Sequence, residues 1–447
     1  VNSASKGGPA TSGLAAAGIL ESAAGVALRK AKLRLLPFLF LLYIANYIDR
    51  INVSFAALQM NRELNFSPVV FGFGSGLFFI GYVLFEIPSN LILARVGARR
   101  WIARIMVSWG LLSAATMFAK GARSFYLLRF LLGSAEAGFF PGIIFYLTHW
   151  FPRAERARAS AMFLTATALA SLVAGPLCGA ILGMHGFLGL SGWQWLFLLE
   201  GLPSVVLGFF VLAYLPDYPS EASWLSEEER TSLATVLKRE QDELAAGARH
   251  LLGEAMRSLR VWTLGLVYFC IVVSIYGIAF FLPQIVKGLG NFSNLEVGLL
   301  SALPYFCAAV AMVMVGVSSD RSGERRWHLA LAAFVGAVGL VLAAQSHKTL
   351  AALAALCLAA AGLWSTLGPF WSLPPEFLRG TAAAGGIALI NSLGNVGGFV
   401  GPSLMGVLKQ FTRSFGGGLE ILAVTLVCAG LIVLLLYRHQ APPRHSS

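Results

Sequence analysis

Apolar runs of about twenty residues, separated by short polar or glycine-rich stretches, recur along nearly the whole chain. Twelve are read: near 35–57, 69–93, 101–120, 124–150, 158–183 and 193–214, then near 261–286, 296–318, 327–345, 350–372, 382–408 and 417–437. Each is long enough to cross a hydrocarbon core of about 30 Å as an α-helix, which satisfies its own backbone hydrogen bonds there. Residues 215–260 break the pattern. They carry Ser226-Glu227-Glu228-Glu229-Arg230 and Lys238-Arg239-Glu240, and predict a charged surface helix within a solvated linker.

The composition agrees with a membrane protein. Hydrophobic residues make up 57% and charged residues 12%, with a mean hydropathy of +0.74. A soluble globular chain carries about 25% charged residues. Lys and Arg then set the orientation. With the N-terminus placed in the cytoplasm, cytoplasmic loops and tails hold 24 of them and the opposite side holds seven. The positive-inside rule therefore predicts both termini inside. The net charge of +12 reads as a topology signal. It is spread over many loops without a recognition module, so no nucleic-acid partner is expected.

Five cysteines (Cys178, Cys270, Cys307, Cys357, Cys428) fall in apolar spans without a CxxC pair. They read as small buried hydrophobes, so neither a disulfide framework nor a zinc site is expected. Gly72, Gly74 and Gly76 lie inside an apolar span with no strand before them, and are read as helix-packing glycines. Gly138 with Pro141, and Gly175 with Pro176, are expected to kink spans four and five. No Walker motif is present. No cofactor is expected, and no enzymatic activity.

The chain also repeats itself. Arg95-Val96-Gly97-Ala98-Arg99-Arg100-Trp101 follows span two, and Arg321-Ser322-Gly323-Glu324-Arg325-Arg326-Trp327 follows span eight, 226 residues later. Arg156-Ala157-Arg158-Ala159 is echoed by Arg379-Gly380-Thr381-Ala382 at an offset of 223. Two echoes at nearly one offset imply a duplicated six-helix unit, and two such halves with a site between them form the plan of a secondary transporter. The fold class expected is an all-α membrane protein of twelve transmembrane helices in two pseudo-symmetric bundles. The boundaries read are a disordered tail at 1–33, a bundle at 34–214, the linker at 215–260, a bundle at 261–437 and a tail at 438–447.

Charge inside the spans marks the candidate site. Asp49 and Arg50 interrupt span one, and Arg129 and Glu136 interrupt span four. A charge at the bilayer centre costs roughly 2.5–3.5 kcal/mol on the lenient insertion scale, and persists where it faces a bundle interior, a partner or a ligand. Tyr43, Tyr47 and Arg50 share one helical face, with Asp49 about 100° away. Arg129, Gly133 and Glu136 share another, with Gly133 leaving room for substrate or water between the charges. Arg129 and Glu136 are about 10 Å apart along the axis, so each needs another partner, for which span one is the candidate. Arginine suits carboxylate recognition through its planar two-pronged donor set. No His lies mid-span, so proton coupling would fall on Asp49 and Glu136. A structural ion-pair network is the alternative.

YIDRINVSFA, FFIGYVLFEIPSNLILARVGARRW and RFLLGSAEAGFFPG resemble the anion:cation symporter family of the major facilitator superfamily, and the superfamily resemblance spans nearly the whole chain. That family includes tartrate, galactonate, hexuronate and phthalate carriers. Its loop motif usually has Asp before the first Arg; the second copy here has Asp320 and the first has Ala94. The resemblance implies substrate contact for Arg50, Arg129, Tyr47, Tyr82, Trp371 and Asn391, and a proton-linked role for Asp49 and Glu136. It implies a proton-coupled symporter that imports a small organic anion (a hydroxy-dicarboxylate such as tartrate, a sugar acid or an aromatic carboxylate) by alternating access. The expected protein is a multi-pass monomer in the bacterial inner membrane, its partners a small carboxylate, a proton and the lipid bilayer. An organic-anion exchanger or uniporter is the alternative. A membrane transferase would require a catalytic loop or metal cluster, and neither is seen in the sequence.

Overall fold

A computed structural model describes residues 23–246, 257–377 and 380–436, and all secondary structure longer than a turn in them is helical. The first half contains α1 (Ala23–Glu63), α2 (Pro68–Val96), α3 (Ala98–Ala115), α4 (Ala122–Glu136), α5 (Phe139–Thr148), α6 (Arg153–Leu182) and α7 (Gly192–Tyr214). The linker contributes α8 (Glu227–Ala246). The second half contains α9 (Leu259–Gly288), α10 (Asn294–Ser322), α11 (Arg326–Gln345), α12 (Thr349–Ser365), α13 (Leu367–Ser372), α14 (Pro374–Phe377), α15 (Gly380–Thr412) and α16 (Gly416–Leu436). Among the described residues, eleven helical segments are long and apolar enough to cross a membrane. The fifth predicted span falls within α6, where Leu169–Leu182 forms an apolar helix among the described residues.

Local sequence sets the helix ends. Ser67 caps α2 by accepting from the Val70 amide at 3.2 Å, with Pro68 in the first turn where its missing N–H costs nothing. Ser293 and Glu296 cap α10 reciprocally. Span four is cut in two at Gly138, whose φ of +87° suits glycine. Pro176, by contrast, is carried within the continuous helix α6. Helix α1 begins at Ala23, inside the segment expected to be an N-terminal tail. Ala24, Ala27, Leu28 and Ala31 are buried there, which supplies the reason.

The halves meet along two seams. The α2–α15 seam closes where Gly72 faces the Pro402 carbonyl and Gly406, and the α6–α10 seam closes where Gly175 faces the Gly298 backbone. Backbones touch at both places, which only residues without a Cβ permit. Aromatic rings extend the closure between α2 and α9, with Phe71–Phe281 centroids at 5.3 Å and Phe79–Tyr276 at 4.4 Å.

The linker packs on the first half. Lys30 Nζ donates to Glu229 Oε1 at 2.7 Å, and Trp150 stacks on Trp224 at 5.5 Å. Arg156 lies 3.5 Å from Glu240. Each duplicated loop turns at a glycine with positive φ, Gly97 (+96°) and Gly323 (+67°), the first with extended ψ and the second left-handed. Their acids differ in origin. Arg325 donates to Asp320 within its own loop at 2.6 Å. Where the first loop has Ala94, Asp217 from the linker accepts the Arg99 backbone N–H at 2.8 Å.

Candidate functional site

Neighbouring residues on a helix point about 100° apart, and α1 uses this to send Asp49 and Arg50 to separate places. Arg50 faces the seam between the halves. Its Nε donates to Glu136 Oε1 at 3.1 Å and its Nη2 donates to the same oxygen. Its Nη1 donates to the Tyr276 hydroxyl at 3.3 Å, a contact from the second half. The partner expected on span one for Glu136 is therefore Arg50, supplied across the gap from α1 to the end of α4.

Arg129 has no such partner. It is fully buried, and Nε, Nη1 and Nη2 all lack hydrogen bonds among the described residues. Two rings accompany it instead: Phe78, with its centroid 5.1 Å from Arg129 Cζ, and Phe280 at 6.0 Å. Phe78 also lies 5.4 Å from Arg50 Cζ, and Tyr82 lies 5.6 Å from it. A desolvated cation–π contact offers about 2 kcal/mol, whereas burying an unpaired ion costs several. The arrangement favours an anion at Arg129.

Gly133 plays a different part from the one expected. A side chain there would run into the backbone of Phe78, so α2 already fills the space between Arg129 and Glu136 on that face. Gly133 permits close helix packing and opens no passage. Tyr47 is buried on the Arg50 face of α1. Trp371 is half-buried on the wall of the second half, 4.9 Å from Tyr268 and 5.3 Å from Phe370. Asn391 reaches the first half, where its Nδ2 donates to Glu86 Oε1 at 3.0 Å.

Asp49 stands apart, enclosed by the first half. Its Oδ2 accepts from Trp109 Nε1 at 2.7 Å and Ser204 Oγ at 3.0 Å. Its Oδ1 accepts from Ser113 Oγ at 2.7 Å and Asn52 Nδ2 at 3.2 Å. The amide near it is Asn52, three residues ahead; Asn46, three residues behind, leaves its Nδ2 without a partner among the described residues. Three groups were not singled out from the sequence: the buried acids Glu86 and Glu200, and the half-buried Tyr276. The two acids carry the same signal as Asp49 and Glu136, an ionisable residue inside an apolar span. Tyr276 carries none until α9 is packed against α1.

Residues 39–402 match the model of the family described as Major Facilitator Superfamily. A protein of Agrobacterium vitis, named as a candidate tartrate transporter, is 50% identical over 92% of this chain and 94% of its own length. NicT of Pseudomonas putida, named as a candidate metabolite transport protein, is 44% identical over 90% of this chain and 92% of its own length. The inward-facing, unoccupied structure of a bacterial homologue of the human lysosomal transporter Spinster has a TM-score of 0.75 at 18% identity. It covers 91% of this chain and 98% of that one.

Proposed function

We propose, from the premise that this chain belongs to the Major Facilitator Superfamily, that it is a proton-coupled symporter importing a small organic anion by alternating access. Membership makes it a membrane transporter and not an enzyme. The finer reading rests on one observation: the buried Arg129 guanidinium has no acceptor among the described residues and lies beside the Arg50–Glu136 pair. A substrate carboxylate supplies Arg129 with the two parallel acceptors that its fork fits.

Proton coupling follows from the neighbouring pair. Arg50 is held by Glu136, so a carboxylate that engages Arg50 competes with Glu136. Protonating Glu136 removes that competition and cancels one charge in the loaded carrier. The substrate class proposed is a hydroxy-dicarboxylate such as tartrate, a sugar acid or an aromatic carboxylate. Tyr47, Tyr82 and Trp371 are the proposed contacts for its hydroxyl or ring groups, and the relative named for tartrate transport supports this class. In the proposed orientation the linker helix is cytoplasmic and the glycine seams close the outer face, in a bacterial inner membrane.

The test is uptake by proteoliposomes. A panel of organic acids is first screened for thermal stabilisation of the purified protein, and the best is then offered with an inward proton gradient. Accumulation that a protonophore abolishes is expected. Uptake indifferent to both gradient and protonophore would replace symport with exchange or uniport.

A further inference from the structure

Behind the candidate substrate site, inside the first half, lies a second acid that the transport cycle above leaves unused. Glu200 of α7 is 7% exposed and one helical turn from Ser204 on the same face. Ser204 already bonds Asp49, so α7 presents Glu200 and Ser204 together to the Asp49–Asn52 face of α1. Facing Glu200 are Asp49 and Asn52 from α1 and the Cys178 thiol from α6; from α3, Trp109 and Ser113 bond Asp49.

The two acids differ in what surrounds them. Asp49 receives four donors, two on each oxygen, a set that suits an acceptor-only carboxylate. Glu200 receives the weak Cys178 thiol donor at 3.2 Å on Oε1 and shares the Asn52 amide with Asp49, and its Oε2 has no partner among the described residues. Asn52 turns Nδ2 toward Asp49, while its own Oδ1 has no partner among the described residues. A buried carboxylate with a bare oxygen and a buried amide with a bare carbonyl are both costly. One hydrogen on Glu200 relieves both: it neutralises the acid and creates an O–H donor facing the Asn52 amide.

We propose that Glu200 is a proton-binding carboxyl of this transporter, and that Glu200 and Asp49, with Asn52 between them, hold one exchangeable proton off the substrate route. The inference rests on the proton-driven reading for its role in transport, but the protonation itself is independent of that reading. When the proton moves, an O–H bond at Glu200 is lost and one at Asp49 is gained, so the pair keeps its single negative charge. The four donors around Asp49 oppose that transfer, and a conformational change that draws Trp109 or the serines away lowers the opposition. Arg50 and the substrate stand on another face of α1, so this proton never shares their space.

The experiment uses the full chain in lipid and reads two signals. Infrared difference spectra on stepping the pH report protonated carboxyl groups directly. Uptake driven by a proton gradient is measured beside substrate counterflow across a range of pH. With Glu200→Gln, one protonated-carboxyl band should vanish, pH-driven accumulation should be largely lost and counterflow should persist. Glu200→Asp should keep a band, at a shifted frequency and pH midpoint. A wild-type carboxyl spectrum unchanged in Glu200→Gln overturns the proposal, and so does an unaltered pH profile of uptake. If Glu200→Gln does not fold, the Asp variant decides: a band and midpoint identical to wild type exclude Glu200 as their source. Wild-type protein that shows the band without any proton-driven uptake would retire the symport reading alone.

Discussion

Asn391 donates its amide to Glu86 at 3.0 Å, tying α15 of the second half to α2 of the first. Glu86 follows Tyr82 by one helical turn, toward the end of α2 that carries the linker contacts. The bond therefore spans the two halves between the arginines and that end of the molecule. It is placed to act as a thin gate.

Asn391→Asp should open this gate by setting two acids against each other. Hydrogen bonds to charged groups are worth about 1.5–3 kcal/mol, so uptake should fall by about tenfold or more. Adding Glu86→Gln restores an acid–amide pair with the roles exchanged, and uptake should recover in the double variant. A double variant as slow as the single one would show that the contact has no part in transport.

Arg129→Lys keeps the charge but replaces a fork with a point donor. Substrate affinity, read by calorimetry on protein whose melting profile confirms folding, should drop by about 2–5 kcal/mol, the usual cost of breaking a buried charged contact. Unchanged affinity would make Arg129 a packing element held by Phe78 and Phe280.

Glu136→Gln should separate binding from coupling. Gln is close in size to a protonated Glu and still hydrogen-bonds, while Arg50 loses its counter-ion. The variant should bind substrate and exchange it in counterflow, yet fail to accumulate it against a proton gradient. Wild-type accumulation would assign the coupling proton elsewhere.

Glu229, on the linker helix, gives a pH prediction outside the membrane. The Lys30 ammonium, together with the Ser226 backbone N–H, holds its carboxyl below the ordinary value of 4.5. A depressed folded-state value means the stabilisation is complete above the ordinary value and is lost as pH falls through the lower one. The melting temperature of the wild type should fall more than that of Glu229→Gln as the pH is taken below that range, with the two profiles parallel at neutral pH. High salt should shrink the difference, since Lys30 is half-exposed.

The residues that the sequence exposed were those whose cost is local. Spans, the duplicated loops, the linker helix and the isolation of Asp49 from Arg50 follow from hydropathy and helical phase alone. So does the need of Glu136 for a partner, because about 10 Å of helix separates it from Arg129. What stayed hidden depends on a neighbour from another helix. Two serines and a tryptophan, all from α3 and α7, complete the shell of Asp49. The backbone of Phe78 decides what Gly133 is for. Glu86 and Glu200 were legible by the same test as Glu136, an acid in an apolar run. Only their partners required the fold.

The contacts of the linker also decide where this protein can be divided. Asp217 anchors the loop after α2, and α8 is bonded to α1 through Glu229 and to α6 through Glu240. A first-half fragment ended at Tyr214 loses every one of those anchors, although all of its apolar spans are intact. A fragment carried through Ala246 keeps them. Split-gene complementation, fusion of a reporter between the halves and circular permutation should therefore succeed with the break after Ala246 and fail with it at Tyr214.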